Sequence, residues 1–183
     1  MFIKGETALN PVIEAILTRR SIRKYKPDQV PKELLDQVIQ AGTYAASGRG
    51  RQSTIIVAVT NRELLNQLSE MNRKIGGWEE GFDPFYGAPA ALLVMADKKW
   101  PTRVCDGSLV IGNMMLAAHA LGLGSCWIHR AKETFESEEG KAILDSLGIQ
   151  GEYVGIGYCI VGYPDGEAPA AAPRKENFVY YVP

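Results

Sequence analysis

The chain has 183 residues, 46% of them hydrophobic and 22% charged, which suits one domain (1–183) with a substantial core and leaves too little length for two. Its 20 Lys and Arg residues nearly balance 21 Asp and Glu residues, so the formal charge of -1 argues against proteins drawn to nucleic acid or anionic membranes. Three widely spaced cysteines argue against a disulfide framework and a zinc site, and indicate a cytoplasmic protein. Residues 1–9 have no apolar stretch of signal-peptide length, so we expect no export.

The first predicted helix starts at Asn10 and leads into a cluster of cations. Asn10 suits the N-cap, Pro11 suits the first helical position, and apolar residues recur on one face over 12–17. Arg19 and Arg20 are expected in the last turn of this helix. Cations there complement the partial negative charge of the helix C-terminus, which is one sufficient explanation for the pair.

The basic cluster continues beyond this helix as the sequence RRSIRKY over residues 19–25. Ser21, Arg23 and Lys24 fall in a segment predicted to be extended, so no helix end accounts for them. Guanidinium groups together with a hydroxyl suit a phosphate. The cluster thus has two interpretations, a helix end and an anion site, and its continuation favours the second.

The chain then alternates helices and strands. A helix is predicted over 31–41 with Gly42 as its C-terminal stop, and a loop of small residues over 45–52 follows. Residues 54–59 are apolar and β-branched, which predicts a strand buried on both faces. The remaining predicted elements are a helix capped by Asn61, an aromatic-rich loop over 76–86, strands over 90–95 and 125–128, a helix over 138–147 and a strand over 154–161.

Two segments allow more than one interpretation. Residues 107–129 contain no Asp, Glu, Lys or Arg, as a membrane span would, but Asn113 and the sequence GLG at 122–124 interrupt them. We therefore expect a buried central helix, on which His119 is a hydrogen-bonded core residue. The aromatic-rich loop over 76–86 is either a small satellite core or a lid, and the sequence slightly favours the core.

The C-terminal extension, residues 167–183, joins a tether to an apolar end. The sequence APAAAP at 168–173 cannot form a regular core element, and the basic pair Arg174 and Lys175 precedes the apolar residues 178–182. Such a tail is expected to pack on the chain's own body or on a second subunit. The length of the tether favours packing of the tail on a second subunit.

Common catalytic signatures are absent from the sequence. Without a GxSxG elbow, a P-loop or HExxH, and with only two histidines, acyl transfer, ATP hydrolysis and zinc catalysis are disfavoured. His129 follows a predicted strand and could face a ligand, although a lone histidine there is more often structural. The remaining candidates for a functional site are two separated basic pairs, at 19–20 and 174–175, and a glycine-rich loop that could approach a flat ligand closely.

Five motifs, in this order, resemble the FMN-dependent nitroreductase family. They are RRSIRKY at 19–25, ASGRGRQ at 46–52, FYGAP at 85–89, LGLGSCWIHR at 121–130 and PRK at 173–175. Each is weak alone, but together they are specific and cover nearly the whole chain. The resemblance implies an α+β fold with a central, mostly antiparallel sheet flanked by helices, formed as an intertwined homodimer with FMN at the subunit interface.

The resemblance also implies which residues bind the flavin. The first motif would hold its phosphate and ribityl chain. The implied residues are Arg19, Arg20, Ser21 and Arg23 in that motif; Ala46, Ser47, Gly48 and Gly50 in a loop reaching the flavin of the other subunit; Asn72 at the pyrimidine edge; Ile128, His129 and Arg130 beside the flavin N5; and Arg174 and Lys175 as a C-terminal phosphate clamp. Relatives often have Glu-Gly in place of His129-Arg130, so the local charge differs here. No catalytic side chain and no metal is expected, because the flavin itself carries the chemistry.

The function implied by the resemblance is a ping-pong oxidoreductase. NAD(P)H would reduce FMN, and a nitroaromatic, a quinone or a similar acceptor would then enter the same pocket. A flavin carrier or sensor without turnover is the alternative. An RNA-binding module that uses 19–24 and 49–51 is disfavoured by the near-zero net charge and by the absence of aromatic residues among the arginines of the loop.

Overall fold

The computed structural model describes residues 9–183, which fold into six α-helices and four strands. In chain order these are α1 (Pro11–Thr18), α2 (Lys32–Thr43), β1 (Thr54–Val59), α3 (Arg62–Gly76), β2 (Ala90–Asp97), α4 (Arg103–Ala120), β3 (Gly124–Ile128), α5 (Ala131–Glu136), α6 (Glu138–Ser146) and β4 (Tyr153–Gly162). Single 3₁₀ turns occur at Gly48–Gly50 and Glu176–Phe178. The α+β class predicted from the sequence is confirmed.

The four strands form one sheet in the order β1-β2-β4-β3, with every neighbouring pair antiparallel. Successive residues of a strand point to opposite faces, and β2 shows this clearly. Leu93 and Met95 join a core with α3, α5 and α6, whereas Leu92 and Val94 join a core with α2 and α4. The sheet is therefore the middle of three layers, with helices on both faces.

The prediction that β1 is buried on both faces is wrong, because β1 is an edge strand. Only Val59 of this strand is fully buried, and residues 54–57 are half-buried. The central strands β2 and β4 show the expected burial instead, since nearly all of their residues are shielded from solvent.

Helix starts were predicted well, and helix ends less so. The side chain of Asn10 accepts a hydrogen bond from the backbone N–H of Val12 (2.9 Å), and that of Asn61 accepts one from Leu64 (2.9 Å). The prediction that Arg19 and Arg20 lie in the last turn of α1 is wrong. The helix ends at Thr18, and Arg19 already has extended backbone angles.

Gly42 does not stop α2, as the sequence had indicated, but lies within it. A Cβ atom at this position would lie 2.7 Å from Cγ of Met114. Glycine is required here because α2 and α4 approach each other closely. The absence of a side chain in this case reflects packing between helices and not a left-handed turn.

The charge-free segment forms most of α4, but this helix is buried along one face only. Ile111 and Met114 are inaccessible to solvent, whereas Leu109 is half-exposed. The buried central helix expected from the sequence is therefore buried along one face and not all round. Among residues 9–183, no helix has both the length and the hydropathy that crossing a bilayer requires.

Two further features were not predicted or not decided from the sequence. Helix α5 has six residues, too few for a periodic pattern, and it packs over Gly155, where a Cβ atom would overlap the carbonyl of Ala131. The C-terminal extension is exposed throughout, from Gly166 to Pro183. The protomer therefore does not bury this tail on its own body.

Candidate functional site

The basic segment 19–25 lies beside the edge of the sheet formed by β3. The backbone N–H of Ile22 donates to the carbonyl of Ser125 (3.0 Å), and that of Lys26 donates to the carbonyl of Tyr163 (2.9 Å). The phenol of Tyr25 donates to the carbonyl of Ile22 (2.7 Å), and burial raises the pKa of this phenol well above its usual value. These bonds fix the backbone of the segment, as a site that must hold side chains in place requires.

A cavity of about 300 Å³ opens along this segment. Its walls come from the basic segment and from the chain just after β4, and they are formed by Ser21, Ile22, Arg23, Lys24, Pro164, Asp165, Gly166, Glu167 and Pro169. Lys24 bridges the two sides through Asp165 (2.7 Å), and this hydrogen bond holds the pKa of the Asp165 carboxyl below its usual range.

Arg19 has a buried guanidinium nitrogen without a partner. Nη1 of Arg19 is shielded from solvent and makes no hydrogen bond within the described part of the chain. Its positive charge reaches the buried thiol of Cys159, where it opposes the rise in pKa that burial causes. Buried charges are normally paired, because an unpaired one loses its hydration without compensation. An anion such as a phosphate would supply the missing partner, although Arg19 does not itself line the cavity beside the basic segment.

Arg20 caps the C-terminal end of α1. Its Nη1 donates to the carbonyl oxygens of Leu17 and of Arg19, both at 2.8 Å. The helix-end interpretation therefore describes Arg20 in this structure. Arg23 instead points towards the ring of Tyr86, 6.0 Å from its centroid. Across residues 9–183, neither Arg19 nor Arg23 pairs with a carboxylate.

The loop of small residues turns sharply before β1. Gly50 has a φ of 64°, and the side-chain oxygen of Ser47 accepts from the backbone N–H of Gln52 (3.0 Å). Ala46 is exposed. Gly48 has no room for a side chain, since a Cβ atom would lie 2.6 Å from Oγ1 of Thr102. Ala46, Ser47, Gly48 and Gly50 thus present little side-chain bulk to a flat ligand.

Asp106, in the first turn of α4, ties this loop to the helix. Its Oδ1 accepts from the backbone N–H of Gly48 (3.0 Å), and its Oδ2 accepts from the hydroxyls of Ser53 (3.2 Å) and Thr102 (3.0 Å). The carboxylate is only 4% exposed. Our sequence reasoning missed it, although its position as the last charge before a long uncharged segment was a usable signal.

Replacing Asp106 with Asn should loosen this loop, because an amide has one acceptor oxygen where the carboxylate has two. We expect a loss of roughly 1–3 kcal/mol in the free energy of unfolding, the usual effect of leaving buried donors unpaired. Trypsin should also cut faster after Arg49 and Arg51. Asp36→Asn, which removes an exposed carboxylate from α2, is the matched control. Equal unfolding temperatures and digestion rates for the two variants would contradict the anchoring role.

The third group of predicted residues lies around the end of β3. Ile128 is buried, His129 is exposed, and Arg130 has a left-handed backbone with a φ of 72°. The guanidinium of Arg130 lies over the ring of Trp78, 5.3 Å from its centroid. Residues 128–130 therefore end the strand with an exposed imidazole and a stacked cation, both available to a ligand.

Asn72 lies in the interior on α3. Its amide nitrogen donates to Oγ1 of Thr134 (3.3 Å), and its oxygen is buried without a partner. Tyr158 is buried in the same region, and burial raises the pKa of its phenol, against the effect of the Asn72 and Thr134 side chains. A contact from Asn72 to a flavin stays a prediction.

The protomer does not bring all predicted site residues together. Arg174 and Lys175 are exposed and do not line the cavity beside the basic segment. The loop at 46–50 is tied to the first turn of α4, whereas α1 meets the last turn of that helix, where Thr18 and His119 are hydrogen-bonded (2.8 Å). The hydrogen bond predicted for His119 is present, but the residue is half-buried and does not belong to the core, contrary to the prediction. The loop and the basic segment therefore lie at opposite ends of α4.

Comparison with known proteins places this geometry in a family. Residues 16–163 match the family model described as "Nitroreductase family". The chain belongs to the nitroreductase family, as its motifs predicted.

Three relatives illustrate the match. A crystal structure of a nitroreductase with bound FMN from Bacteroides fragilis superposes with a TM-score of 0.88 at 31% identity, covering 95% of this chain and 100% of that one. The NADPH-flavin oxidoreductase of Vibrio harveyi is 30% identical over 176 residues, 91% of this chain and 70% of its own length. A Methanothermobacter thermautotrophicus protein, provisionally named NADH dehydrogenase/NAD(P)H nitroreductase, is 37% identical over 134 residues, 68% of this chain and 64% of its own length. These likenesses agree with the predicted fold.

Proposed function

We propose that the protein is an FMN-dependent oxidoreductase that transfers reducing equivalents from NAD(P)H to a nitroaromatic, a quinone or a similar acceptor. The observation that carries the proposal is the buried Nη1 of Arg19, which has no partner in the described part of the chain and belongs to the first of the five motifs. The relative from Bacteroides fragilis, which shares the fold, is described with bound FMN. With a nitroaromatic the net reaction is NAD(P)H + H⁺ + ArNO₂ → NAD(P)⁺ + ArNO + H₂O.

The residues of this chain would supply binding and orientation. Arg19, Ser21 and Arg23 would hold the phosphate and ribityl end of FMN, and residues 128–130 would flank its ring. When bound, FMN supplies the redox chemistry, accepting two electrons from the nicotinamide and passing them to the acceptor. The side chains then need no general acid or base of their own, which agrees with the absence of a catalytic dyad from the sequence.

A homodimer is part of this proposal. The apolar face of α1 is exposed in the protomer, with Val12 60% and Leu17 56% accessible. An apolar groove of about 430 Å³ runs between α1, α2 and α4, and the tail at 178–182 is also apolar and exposed. A second copy of the chain would cover these surfaces. It would also bring its own Ala46, Ser47, Gly48 and Gly50 to the flavin bound at Arg19.

We also propose a cytoplasmic location. All three cysteines are free, and Cys105 is exposed. An exposed thiol survives best in a reducing compartment. Cell fractionation with antibody detection tests the location, and recovery from an extracytoplasmic fraction would contradict it.

Absorbance spectroscopy tests the proposed function directly. The purified protein, or the protein reconstituted with FMN, should be yellow, and NADH or NADPH should bleach the flavin band under anaerobic conditions. Addition of a nitroaromatic or a quinone should then restore the band. Bound flavin that neither nicotinamide bleaches would favour a carrier or sensor. Failure to bind FMN at all would exclude both functions.

A further inference from the structure

Three aromatic rings of the segment between α3 and β2 form a ladder beside the candidate site. Trp78 and Phe82 have ring centroids 5.3 Å apart, and Phe82 meets Tyr86 edge to face at 6.0 Å. We call Trp78, Phe82 and Tyr86 the aromatic ladder. Arg130 stacks on its Trp78 end and Arg23 lies over its Tyr86 end. The ladder thus spans the distance between the end of β3 and the basic segment.

The segment that carries the ladder is fixed by hydrogen bonds to Asp83 and by the burial of Phe85. Asp83 accepts hydrogen bonds from the hydroxyl of Ser69 and from the backbone N–H groups of Phe85 and Gly87. The ring of Phe85 is buried against Tyr158, with centroids 5.0 Å apart. Phe85 therefore belongs to the main core, and not to the small satellite core that the sequence slightly favoured, whereas the ladder lies nearer the surface.

Two rings of the ladder, those of Trp78 and Phe82, remain accessible to solvent. Trp78 is 39% exposed and Phe82 is 40% exposed. Trp78 lies directly against Gly76, where a Cβ atom would overlap its six-membered ring. Glycine at the end of α3 thus leaves room for the indole over which the guanidinium of Arg130 lies. The ladder is a formed surface with open aromatic area.

The cation at the Trp78 end of the ladder, Arg130, has no ion-pair partner within residues 9–183, although Glu79 and Glu80 lie on the same segment as the ladder. A guanidinium stacked on an aromatic ring keeps its in-plane N–H donors free, and these match the two oxygens of a carboxylate. A ligand that uses both features has a planar aromatic body and an anionic substituent.

We propose that the aromatic ladder and Arg130 select the electron acceptor, and that they favour aromatic acceptors bearing a carboxylate. This inference rests on the proposed oxidoreductase function, since the acceptor must stand against the flavin beside residues 128–130. The aromatic body of the acceptor would pack against the exposed rings, and its carboxylate would accept hydrogen bonds from Arg130.

Steady-state kinetics on the FMN-loaded protein test the selection. 4-Nitrobenzoate and 4-nitrobenzamide differ in charge but have nearly the same shape. We expect the unmodified protein to prefer the carboxylate in kcat/KM. Arg130→Gln should lower the ratio of the two kcat/KM values about tenfold, as expected for one charge-assisted hydrogen bond near solvent. Lys132→Gln removes an equal charge two residues away, without a stacking partner, and is the matched control.

Equilibrium binding of benzoate gives a readout that does not require turnover. Calorimetry on the FMN-loaded protein should show weaker benzoate binding for Arg130→Gln and unchanged binding for Lys132→Gln. Gly76→Ala should also weaken benzoate binding, because the added methyl displaces Trp78 while every charge is kept. Alanine is favourable within a helix, so the fold should tolerate this change.

The outcomes separate this inference from the proposed function. An unchanged acceptor ratio in Arg130→Gln, or an equal fall in Lys132→Gln, would overturn the selection by Arg130. If the unmodified protein reduces no acceptor at all, the proposed oxidoreductase function fails. In that case benzoate binding alone tests whether the ladder and Arg130 bind an aromatic carboxylate. Identical benzoate affinities in the unmodified protein, Arg130→Gln and Gly76→Ala would overturn this inference.

Discussion

FMN should bind the Arg19→Ala protein roughly 10- to 150-fold more weakly than the unmodified protein, because one charge-assisted hydrogen bond to a phosphate contributes about 1.5–3 kcal/mol. The free energy of unfolding of the FMN-free protein should fall by much less than the free energy of FMN binding. Nη1 of Arg19 is buried without a partner among the described residues, and removing a partly buried charge that has no ion-pair partner relieves part of a desolvation penalty. Fluorescence titration with FMN and thermal unfolding of the FMN-free protein measure the two effects.

Neighbouring cations provide the controls for Arg19→Ala. Arg20→Ala should lower the stability of the FMN-free protein by about 1 kcal/mol, since its guanidinium caps the carbonyl of Leu17. Lys24→Ala should change that stability little, because its ion pair with Asp165 is exposed. If Arg19→Ala and Arg20→Ala destabilise the FMN-free protein equally, the helix-end interpretation holds for both arginines and the anion site is lost.

A chain that ends at Pro173 should be monomeric and should bind FMN poorly. The apolar residues 178–182 are exposed in the protomer, so removing them costs the protomer's own core nothing. In the proposed dimer they would be buried on the partner, where each large apolar side chain contributes about 1.5–3 kcal/mol. Loss of the whole tail should raise the dissociation constant of the dimer by roughly a thousandfold or more on this scale. Sedimentation velocity and FMN titration measure the two losses.

A second truncation distinguishes the two parts of the tail. A chain that ends at Lys175 keeps Arg174 and Lys175 but lacks the apolar end. Such a chain should lose dimerisation while retaining more FMN affinity, at high protein concentration, than the chain that ends at Pro173. A stable FMN-loaded dimer after truncation at Pro173 would show that the tail is not part of the interface.

Features of the fold that depend on local chemistry could be predicted from the sequence. The caps at Asn10 and Asn61 and the apolar runs of β2 and β4 each carry their signal within a few residues. The exposure of β1 could not be predicted, because it depends on which strand lies at the edge of the sheet. The role of Gly42 depends equally on Met114, a contact 72 residues away in the chain.

The candidate site shows the same division. Ordered motifs predict its members, which stay predictions, whereas the family assignment is confirmed. The different roles of Arg19 and Arg20 could not be predicted, because both are arginines at a helix end. Only the fold directs Arg19 inward and Arg20 back to the carbonyl of Leu17. Asp106 was missed because its partners, Gly48 and Ser53, lie more than fifty residues before it and reach it only through the fold.

Helix α4 has a consequence for how the two flavin sites of the proposed dimer are built. It has 18 residues and is about 27 Å long at 1.5 Å per residue. Asp106 near one end holds the loop at 46–50, and His119 near the other end holds α1 and the segment that carries Arg19. In the proposed dimer these two ends serve different FMN molecules, so each subunit would join both sites through a single rigid rod. Neither FMN site would then be complete in an isolated protomer.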